Sequence, residues 1–184
     1  MFDYLILNGQ VIDGTGSPAY RADVGVANGR IAAIGDLKTA PARTVIDAAG
    51  KYVTPGFIDI HRHADAAVFR PGFGELELKQ GLTTIVNGNC GLSVTPCRST
   101  YQKEIRAYLT PITGALPGDK EFSSLEAYLK AAEEEPRRIN TAMLTGSGTI
   151  RACAAGFGVP KLDRAQLKTV HELLEQELAA GALG

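Results

Sequence analysis

The chain has 184 residues, of which 45% are hydrophobic and 21% charged, a composition typical of a folded globular protein. Its 19 basic and 20 acidic residues leave a formal net charge of -1, so neither a nucleic acid nor an anionic membrane is expected as partner. The expected partner is a small molecule. No apolar run approaches the roughly 20 residues of a membrane span, and Met1 does not open a signal-peptide pattern. The sequence therefore predicts a cytoplasmic protein.

The first fifty residues alternate short β-type runs with Asn-Gly and Asp-Gly dipeptides at residues 8–9, 13–14 and 28–29. Both dipeptides tolerate the positive φ angles of tight hairpin turns, so the pattern predicts a hairpin-rich antiparallel sheet. We assign this sheet to residues 1–53. It would be part of a small β-sandwich domain, because so few strands cannot cover two sheet faces unaided.

The pattern changes at residue 54, where apolar strands begin to alternate with helical segments. Strands are predicted over residues 57–60, 83–86 and 139–144. Helices are predicted over residues 75–79, 103–109, 123–134 and 162–178. The last helix has an apolar stripe at helical spacing, formed by Leu167, Val170, Leu174 and Leu178. This alternation favours right-handed βαβ units and a parallel sheet.

About three strand–helix units precede the last residue, Gly184, whereas a closed barrel needs about eight. The sequence therefore predicts an α/β chain in which residues 54–184 form the first units of a TIM-type (β/α) barrel, with the barrel truncated. Polar residues gather at the C-terminal ends of the predicted strands. Parallel barrels and doubly wound sheets place their active sites at that edge.

A candidate metal site lies at these strand ends. His61 and His63 follow the first strand two residues apart, so both side chains point to the same side, and zinc accepts neutral imidazole nitrogen. Cys90 follows the next strand between Gly88 and Gly91, and a thiolate is a strong zinc ligand. A His-x-His pair alone is a weak signal, and a lone cysteine more often packs as a small hydrophobe. The prediction depends on the combination of the three ligands at neighbouring strand ends.

The other candidate residues are interpreted as structural. Cys97 and Cys153 bring the cysteines to an odd number with no Cys-x-x-Cys spacing, which suggests neither a disulfide framework nor a zinc ribbon. His171 lies in the predicted helix over residues 162–178 and is expected at the surface. Ser147 has no accompanying histidine base and is not expected to act as a nucleophile.

Two stretches carry a resemblance to a known family. The sequence TPGFIDIHRH, from Thr54 to His63, resembles the signature that opens the barrel of the amidohydrolase superfamily after a small β-domain. The sequence GLTTIVNGNCG, from Gly81 to Gly91, resembles the N-acyl-D-amino-acid deacylases, or D-aminoacylases, which use a cysteine at this point as a metal ligand. A Gly-x-x-x-Ile-Arg stretch ending at Arg151 also fits that group. The resemblance covers essentially the whole chain.

The resemblance implies a zinc-dependent hydrolase that takes a small-molecule N-acyl-D-amino acid and releases a carboxylate and a D-amino acid. It implies one or two zinc ions, with His61 and His63 at the less tightly held position and Cys90 at the tighter one. Water activated by the metal would attack the amide carbonyl. Further histidine ligands and the general-base aspartate are expected beyond residue 184. Asp59 and Asp65 are expected to support the ligands from behind, Asp65 in a minor role.

The chain departs from the family pattern at two points. Ala64 stands where the group commonly has another acidic residue, and Ser147 stands where it often has a histidine. Serine offers no imidazole to a metal, so the second departure puts the substrate preference in doubt more than the reaction class.

Two alternatives remain open. The first is a cyclic amidase of the dihydroorotase or hydantoinase type, although such enzymes usually bridge two metals with a carboxylated lysine, and Cys90 argues against that arrangement. The second is a catalytically inert fragment, since an open parallel sheet leaves apolar faces and an unpaired edge. Such a fragment would form oligomers or bind a complementing C-terminal segment.

Overall fold

The computed structural model describes residues 1–118, 120–136 and 138–184, and the chain divides into two units, Met1–Pro55 and Gly56–Gly184. The first unit is a five-stranded sheet. Its strands are β1 (Phe2–Val11), β2 (Tyr20–Ala27), β3 (Arg30–Gly35), β4 (Ala42–Asp47) and β5 (Tyr52–Val53). The strand order is β3-β2-β1-β4, and β5 also pairs with β1.

The sheet of the first unit is mixed, so the prediction of an antiparallel β-domain is wrong for part of it. β1–β2 and β2–β3 are antiparallel, but β4 and β5 both run parallel to β1. The β2–β3 hairpin occupies one side of β1, and the returning chain crosses to the free edge on the other side. The turn signals cannot reveal this crossing, because parallel neighbours are joined by a longer connection and not by a tight turn.

The predicted turn at Asn8-Gly9 is also wrong, because these residues lie inside the continuous strand β1. Asn8 has a φ of 63°, and the register with β2 shifts between Ile6 and Gly9, as in a β-bulge. A Cβ on Gly9 would lie 2.5 Å from Cγ2 of Val53. Glycine is required there by the close approach of a neighbouring strand. The hairpin turn at Asn28-Gly29 is confirmed, with φ angles of 53° and 70°.

The second unit contains a three-stranded parallel sheet in the order β6-β7-β8, which confirms the predicted parallel strands. The strands are β6 (Phe57–Asp59), β7 (Leu82–Asn87) and β8 (Asn140–Met143). The helices are α1 (Glu75–Lys79), α2 (Gln102–Thr113), α3 (Leu125–Glu133), α4 (Ser147–Ala155) and α5 (Arg164–Ala179), with a short 3-10 helix at Ala67–Phe69. Among the described helices, none combines the length and apolarity needed to cross a bilayer.

The core of the second unit lies in separate apolar clusters around the sheet. In one cluster the rings of Phe69, Phe122 and Tyr128 stack or meet edge to face, with centroids 5.1–5.3 Å apart. Another cluster joins α2, α4 and α5 through Leu109, Ile150 and Leu173. These clusters fix the helices around the ends of the strands.

The apolar stripe predicted for the last helix is confirmed at Val170 and Leu174, which pack against the cluster around α2 and α4, and is wrong at its two ends. Leu167 and Leu178 are 47% and 43% exposed, whereas the buried residues of α5 are Leu173 and Glu177. Glu177 is buried because its Oε1 accepts a hydrogen bond of 3.1 Å from the backbone N–H of Leu125, at the start of α3. The hydrogen bond to a helix-start N–H therefore accompanies burial of Glu177 beside Leu173, whereas Leu178 stays exposed.

Candidate metal centre

His61, His63 and Cys90 converge at the C-terminal ends of β6 and β7. Each offers one ligand atom, and these atoms all lie within 4.8 Å of one another. His61 Nε2 is 3.2 Å from Cys90 Sγ, and the two imidazole rings meet edge to face with centroids 5.8 Å apart. His61 and Cys90 are exposed, and His63 is half-buried. The three predicted ligands therefore form one cluster that is open to solvent on one side.

The end of β6 is held by a charged cluster formed by Asp59, Arg62 and Glu77. Oδ1 of Asp59 accepts a hydrogen bond of 3.0 Å from the backbone N–H of His61, and its Oδ2 lies 3.6 Å from Nη1 of Arg62. Nη2 of Arg62 donates to Oε1 of Glu77 at 2.7 Å, and the Glu77 side chain is only 11% exposed. Asp59 thus supports the backbone of a ligand, while Glu77 on α1 anchors the arginine between the two histidines.

Two asparagines join the end of β6 to the end of β7. Oδ1 of Asn87 accepts a hydrogen bond of 3.0 Å from the backbone N–H of Ala64. Nδ2 of Asn89 donates to the carbonyl oxygens of Val86 and Arg62, at 2.8 and 3.3 Å. Both asparagines are buried. These bonds set the distance between the His-x-His segment and the loop that carries Cys90.

The Cys90 loop has a strained backbone. Cys90 has a φ of 58°, between Gly88 at 79° and Gly91 at 75°. A Cβ on Gly88 would lie 2.1 Å from the carbonyl oxygen of Leu144, so the loop passes directly against the end of β8. A non-glycine residue in the left-handed region costs free energy, and such residues concentrate at functional sites. In this loop the thiol of Cys90 lies 3.2 Å from Nε2 of His61.

The end of β8 supports the cysteine loop and contributes no ligand to the cluster. The carbonyl oxygen of Gly91 accepts hydrogen bonds from the backbone N–H groups of Gly148 and Thr149, at 3.0 and 3.2 Å, at the start of α4. The Thr149 hydroxyl also bonds both backbone groups of Ser93. Ser147 is exposed and lies beside Gly91. Helix α4 was not predicted, because its first residues read as a glycine-rich loop, yet those residues position Cys90.

Asp65 lies beneath the site and is completely buried. Its Oδ1 accepts a hydrogen bond of 3.3 Å from the backbone N–H of Val94. Burial raises the pKa of Asp65 to about 6, and hydrogen bonds from the backbone N–H groups of Val94 and Gly88 oppose the rise. This side chain therefore contacts the backbone that follows the Cys90 loop.

The remaining cysteines and histidine lie away from the cluster. Cys97 and Cys153 are buried in the apolar cluster around α4, and burial raises the pKa of both thiols, that of Cys97 to about 11. Such thiols stay protonated at neutral pH, whereas a metal needs a thiolate. His171 is exposed on α5, as expected.

The donor set fits zinc. Nδ1 of His63 is buried and has no hydrogen-bond partner among the described residues, and an unpaired buried nitrogen costs free energy that a bound cation or a further partner would offset. In a tetrahedral zinc site a thiolate sulfur and an imidazole nitrogen lie roughly 3.5 Å apart, close to the 3.2 Å between Cys90 and His61. Three such ligands with one side open to solvent are typical of a catalytic zinc site.

Sequence reasoning missed the residues that hold the ligands in place. Glu77 falls within the predicted helix over residues 75–79, and the sequence pattern assigned no role to Glu77, Asn87 or Asn89. The one available signal was the presence of two asparagines directly beside a glycine-flanked cysteine. Amides at such a position can bond the exposed backbone of a neighbouring strand end.

The family model described as "Amidohydrolase family" matches residues 44–148, which is more than half of the chain. The chain therefore belongs to the amidohydrolase family. This agrees with a parallel sheet whose strand ends present imidazole and thiol ligands.

Two curated relatives from Alcaligenes xylosoxydans xylosoxydans are similar to the chain along its length. The D-aminoacylase is 37% identical over 187 residues, and the alignment covers 100% of this chain and 37% of the relative. The N-acyl-D-glutamate deacylase is 40% identical over 184 residues, covering 99% of this chain and 36% of the relative. The chain thus spans little more than a third of the length of these relatives.

A solved structure is also similar to the chain along its whole length. The N-acyl-D-glutamate deacylase of Bordetella bronchiseptica, in complex with zinc and a phosphonate inhibitor that mimics the tetrahedral intermediate, is 35% identical and superposes with a TM-score of 0.80. The match covers 100% of this chain and 37% of that one. At this level of identity the likeness extends to sequence as well as fold.

Proposed function

We propose that this chain supplies the first metal-binding part of a zinc-dependent hydrolase that cleaves the amide bond of N-acyl-D-amino acids, releasing a carboxylate and a D-amino acid. The observation that carries the proposal is the cluster of His61, His63 and Cys90, whose ligand atoms lie within 4.8 Å of one another. The D-aminoacylase and the N-acyl-D-glutamate deacylase among the relatives support the reaction and the substrate class.

His61, His63 and Cys90 would hold one or two zinc ions. When bound, zinc lowers the pKa of a coordinated water and polarises the amide carbonyl. Asp59 would fix the backbone of His61, and Asp65 would fix the backbone beyond the cysteine loop, so both would act on the ligands from outside the coordination shell. The general base and the remaining histidine ligands would come from residues beyond 184.

We further propose that residues 54–184 form the first strand–helix units of a TIM-type (β/α) barrel and that residues 1–53 belong to a separate small β-domain. The parallel order β6-β7-β8, with the candidate ligands at the C-terminal ends, supports this architecture. β6 pairs only with β7 among the described strands, and its Phe57 and Ile58 are 57% and 60% exposed. A further strand from a complementing segment or from a second copy would cover them.

Zinc titration of the chain tests the metal site. We expect one zinc to bind with His61, His63 and Cys90 as ligands, so alanine at any one of them lowers the affinity by more than the roughly 10–100-fold that loss of a supporting partner costs. Cobalt in place of zinc reports the thiolate directly through a sulfur-to-metal charge-transfer band. That band should disappear in Cys90→Ala and persist in the matched control Cys97→Ala. His171→Ala is the histidine control. Unchanged affinity in Cys90→Ala would refute the site.

Hydrolysis assays test the reaction. The zinc-loaded chain, alone and together with the C-terminal two thirds of a relative, is incubated with N-acetyl-D-amino acids, their L-enantiomers and hydantoins. We expect release of D-amino acids only. Activity of the chain alone would overturn the fragment hypothesis, and ring opening of hydantoins in place of deacylation would favour the cyclic amidase.

A further inference from the structure

A cleft of about 690 Å³ opens directly beside Cys90. It runs from Cys90 and Ser147, at the strand ends, between α2 and α4 to the segment over residues 156–160. Sites for small molecules commonly have volumes of about 300–1,000 Å³. The cleft is therefore large enough for part of a substrate, and it begins at the proposed zinc ligands.

The walls of the cleft are apolar. Leu109 of α2 and Ala152 of α4 form its floor, and no aspartate, glutamate, lysine or histidine is among its lining residues. Its one charged lining residue is Arg151, whose guanidinium already donates a hydrogen bond to the carbonyl oxygen of Val159. That bond holds the guanidinium against the backbone of the cleft and leaves its charge in place, so an anion would find a single cation among mostly apolar lining groups, whereas an apolar occupant would gain by leaving water.

Two aromatic rings lie at the outer rim of the cleft. Tyr108 on α2 and Phe157 contact each other with ring centroids 5.2 Å apart, although they are 55% and 47% exposed. Gly156, directly before Phe157, has a φ of 70° and packs against Tyr101, since a Cβ on it would lie 2.6 Å from that ring. The rim thus presents exposed aromatic surface formed by α2 and the residue that follows Gly156.

We propose that this cleft binds the acyl chain of the substrate and that it favours acyl groups longer than acetyl. The inference rests on the proposed deacylase function. Of the two halves of an N-acyl-D-amino acid, the amino-acid half always carries a carboxylate, which would have to leave water for a mostly apolar cleft whose single cation, Arg151, is held against the Val159 carbonyl. The acyl half is uncharged, and it would reach from the scissile carbonyl beside Cys90 along Leu109 toward Tyr108 and Phe157.

Binding of two ligand series tests the proposal. The first series is straight-chain alkyl hydroxamates of two, four, six and eight carbons, which carry a zinc-binding head and no amino acid. The second is N-acyl-D-alanines with the same acyl lengths. Calorimetric titration of the zinc-loaded full chain should show affinity rising about twofold to fourfold per added methylene until the cleft is filled.

Three variants locate the chain-length effect. Ala152→Leu narrows the cleft, and we expect it to abolish the gain with length while leaving the two-carbon ligand unaffected. Tyr108→Ala combined with Phe157→Ala removes the rim and should weaken only the six- and eight-carbon ligands. Ile112→Ala is the matched control, because Ile112 is 42% exposed on the same helix and does not line the cleft. Thermal melts establish that each variant is folded.

Equal affinity for two-carbon and eight-carbon ligands would overturn the assignment while leaving the deacylase function intact. It would also be overturned if Ala152→Leu weakened N-acetyl-D-leucine more than N-octanoyl-D-alanine, since the cleft would then take the amino-acid side chain. Protection of the cleft by another segment of polypeptide, with no response to acyl length, would identify a packing surface instead. A failure to bind any N-acyl-D-alanine even when the C-terminal two thirds of a relative is added, together with zinc-dependent binding of acetohydroxamate, would count against the deacylase function and not against the metal site.

Discussion

Asp23 in the first unit and His63 in the second are polar side chains in opposite surroundings. Both carboxylate oxygens of Asp23 accept backbone hydrogen bonds, from Asn8 at 2.8 Å and from Leu37 at 3.0 Å, whereas Nδ1 of His63 is buried without a partner among the described residues. The same contrast holds across the two units. Other buried side-chain atoms without a partner within the described chain also lie in the second unit: Asn87 Nδ2, Thr141 Oγ1 and Thr145 Oγ1.

The contrast extends to ionisation. Backbone hydrogen bonds from Leu37 and Asn8 lower the pKa of Asp23, whereas burial raises the pKa of Asp65 and of Glu177. Unpaired buried polar groups cost stability, and proteins retain them mainly where they serve a ligand or a reaction. The described unpaired polar groups thus lie in the second unit, and His63 Nδ1 is the one that belongs to the proposed zinc site.

Zinc binding should produce the largest difference between the two units, because it should stabilise only the second one. A ligand present at 1,000 times its Kd stabilises the folded state by about 4 kcal/mol, and we expect that stabilisation to be confined to the second unit. Hydrogen exchange followed by mass spectrometry should show slower exchange around residues 59–65 and 85–93, with exchange in residues 1–55 unchanged. Cys90→Ala should abolish the effect and Cys97→Ala should retain it. If zinc slowed hydrogen exchange equally in both units, the proposed difference between the units would be wrong.

Glycine substitutions should give the next largest difference. Gly88→Ala introduces a Cβ 2.1 Å from the Leu144 carbonyl oxygen at a φ of 79°, and we expect it to destabilise the second unit by about 3 kcal/mol. Gly14→Ala is the matched control in the first unit. Gly14 has a similar φ of 82° with nothing within 4 Å, so only the conformational cost of about 1 kcal/mol applies. Urea denaturation measures both, and equal losses would show that steric contact with Leu144 is unimportant.

Glu77→Gln tests the charged cluster behind the histidines. Because the Glu77 side chain is 11% exposed and that of Arg62 is 34% exposed, we expect the lost ion pair to cost about 1–2 kcal/mol and to weaken zinc binding by roughly tenfold. Glu75→Gln on the same helix is the control. It breaks the pair of Glu75 with Arg138, whose side chains are 47% and 55% exposed, and pairs of that kind contribute about 0–1 kcal/mol. An equal effect of both variants on zinc affinity would show that Arg62 needs no anchor.

Changes in pH should shift the stability of the two units in opposite directions. These changes in free energy should be the smallest of the predicted effects. The pKa of Asp23 is lowered by folding, so its contribution is present above the unfolded pKa of about 4 and is lost as the pH falls through the folded value. The pKa of Glu177 is raised by folding, so its contribution is present below the unfolded pKa and is lost as the pH rises through the folded value. Hydrogen exchange measured from about pH 3 to pH 8 should separate the two effects.

Two conservative variants isolate these groups. Asp23→Asn should destabilise the first unit by about 1 kcal/mol at neutral pH, with a smaller difference from the parent chain in acid. Glu177→Gln keeps an acceptor for the Leu125 N–H and removes the buried charge, so it should stabilise the second unit by up to about 1 kcal/mol at neutral pH and have no effect near pH 4. A loss of stability in Glu177→Gln at neutral pH would mean that the ionised carboxylate is the favoured form.

The sequence by itself determined the parallel strands of the second unit and the meeting of three candidate ligands at their ends. Strand periodicity places His61 and His63 on one side, and the carboxyl ends of neighbouring parallel strands meet at one edge, so the sequence alone predicts that Cys90 lies beside them. The hairpin at Asn28-Gly29 was equally predictable. All of these features depend on residues that are close together in the chain or on a general rule of sheet geometry.

Tertiary structure decided which groups meet across elements. It placed β4 and β5 parallel to β1, turned Glu177 and not Leu178 into the core, and opened an apolar cleft beside Cys90. It also joined Arg62 to Glu77. The physical reason is the same in each case. The partner of a buried hydrogen bond or ion pair comes from an element that is distant in the chain. Neither local conformational preference nor hydrophobic periodicity predicts which residue of that element will be the partner.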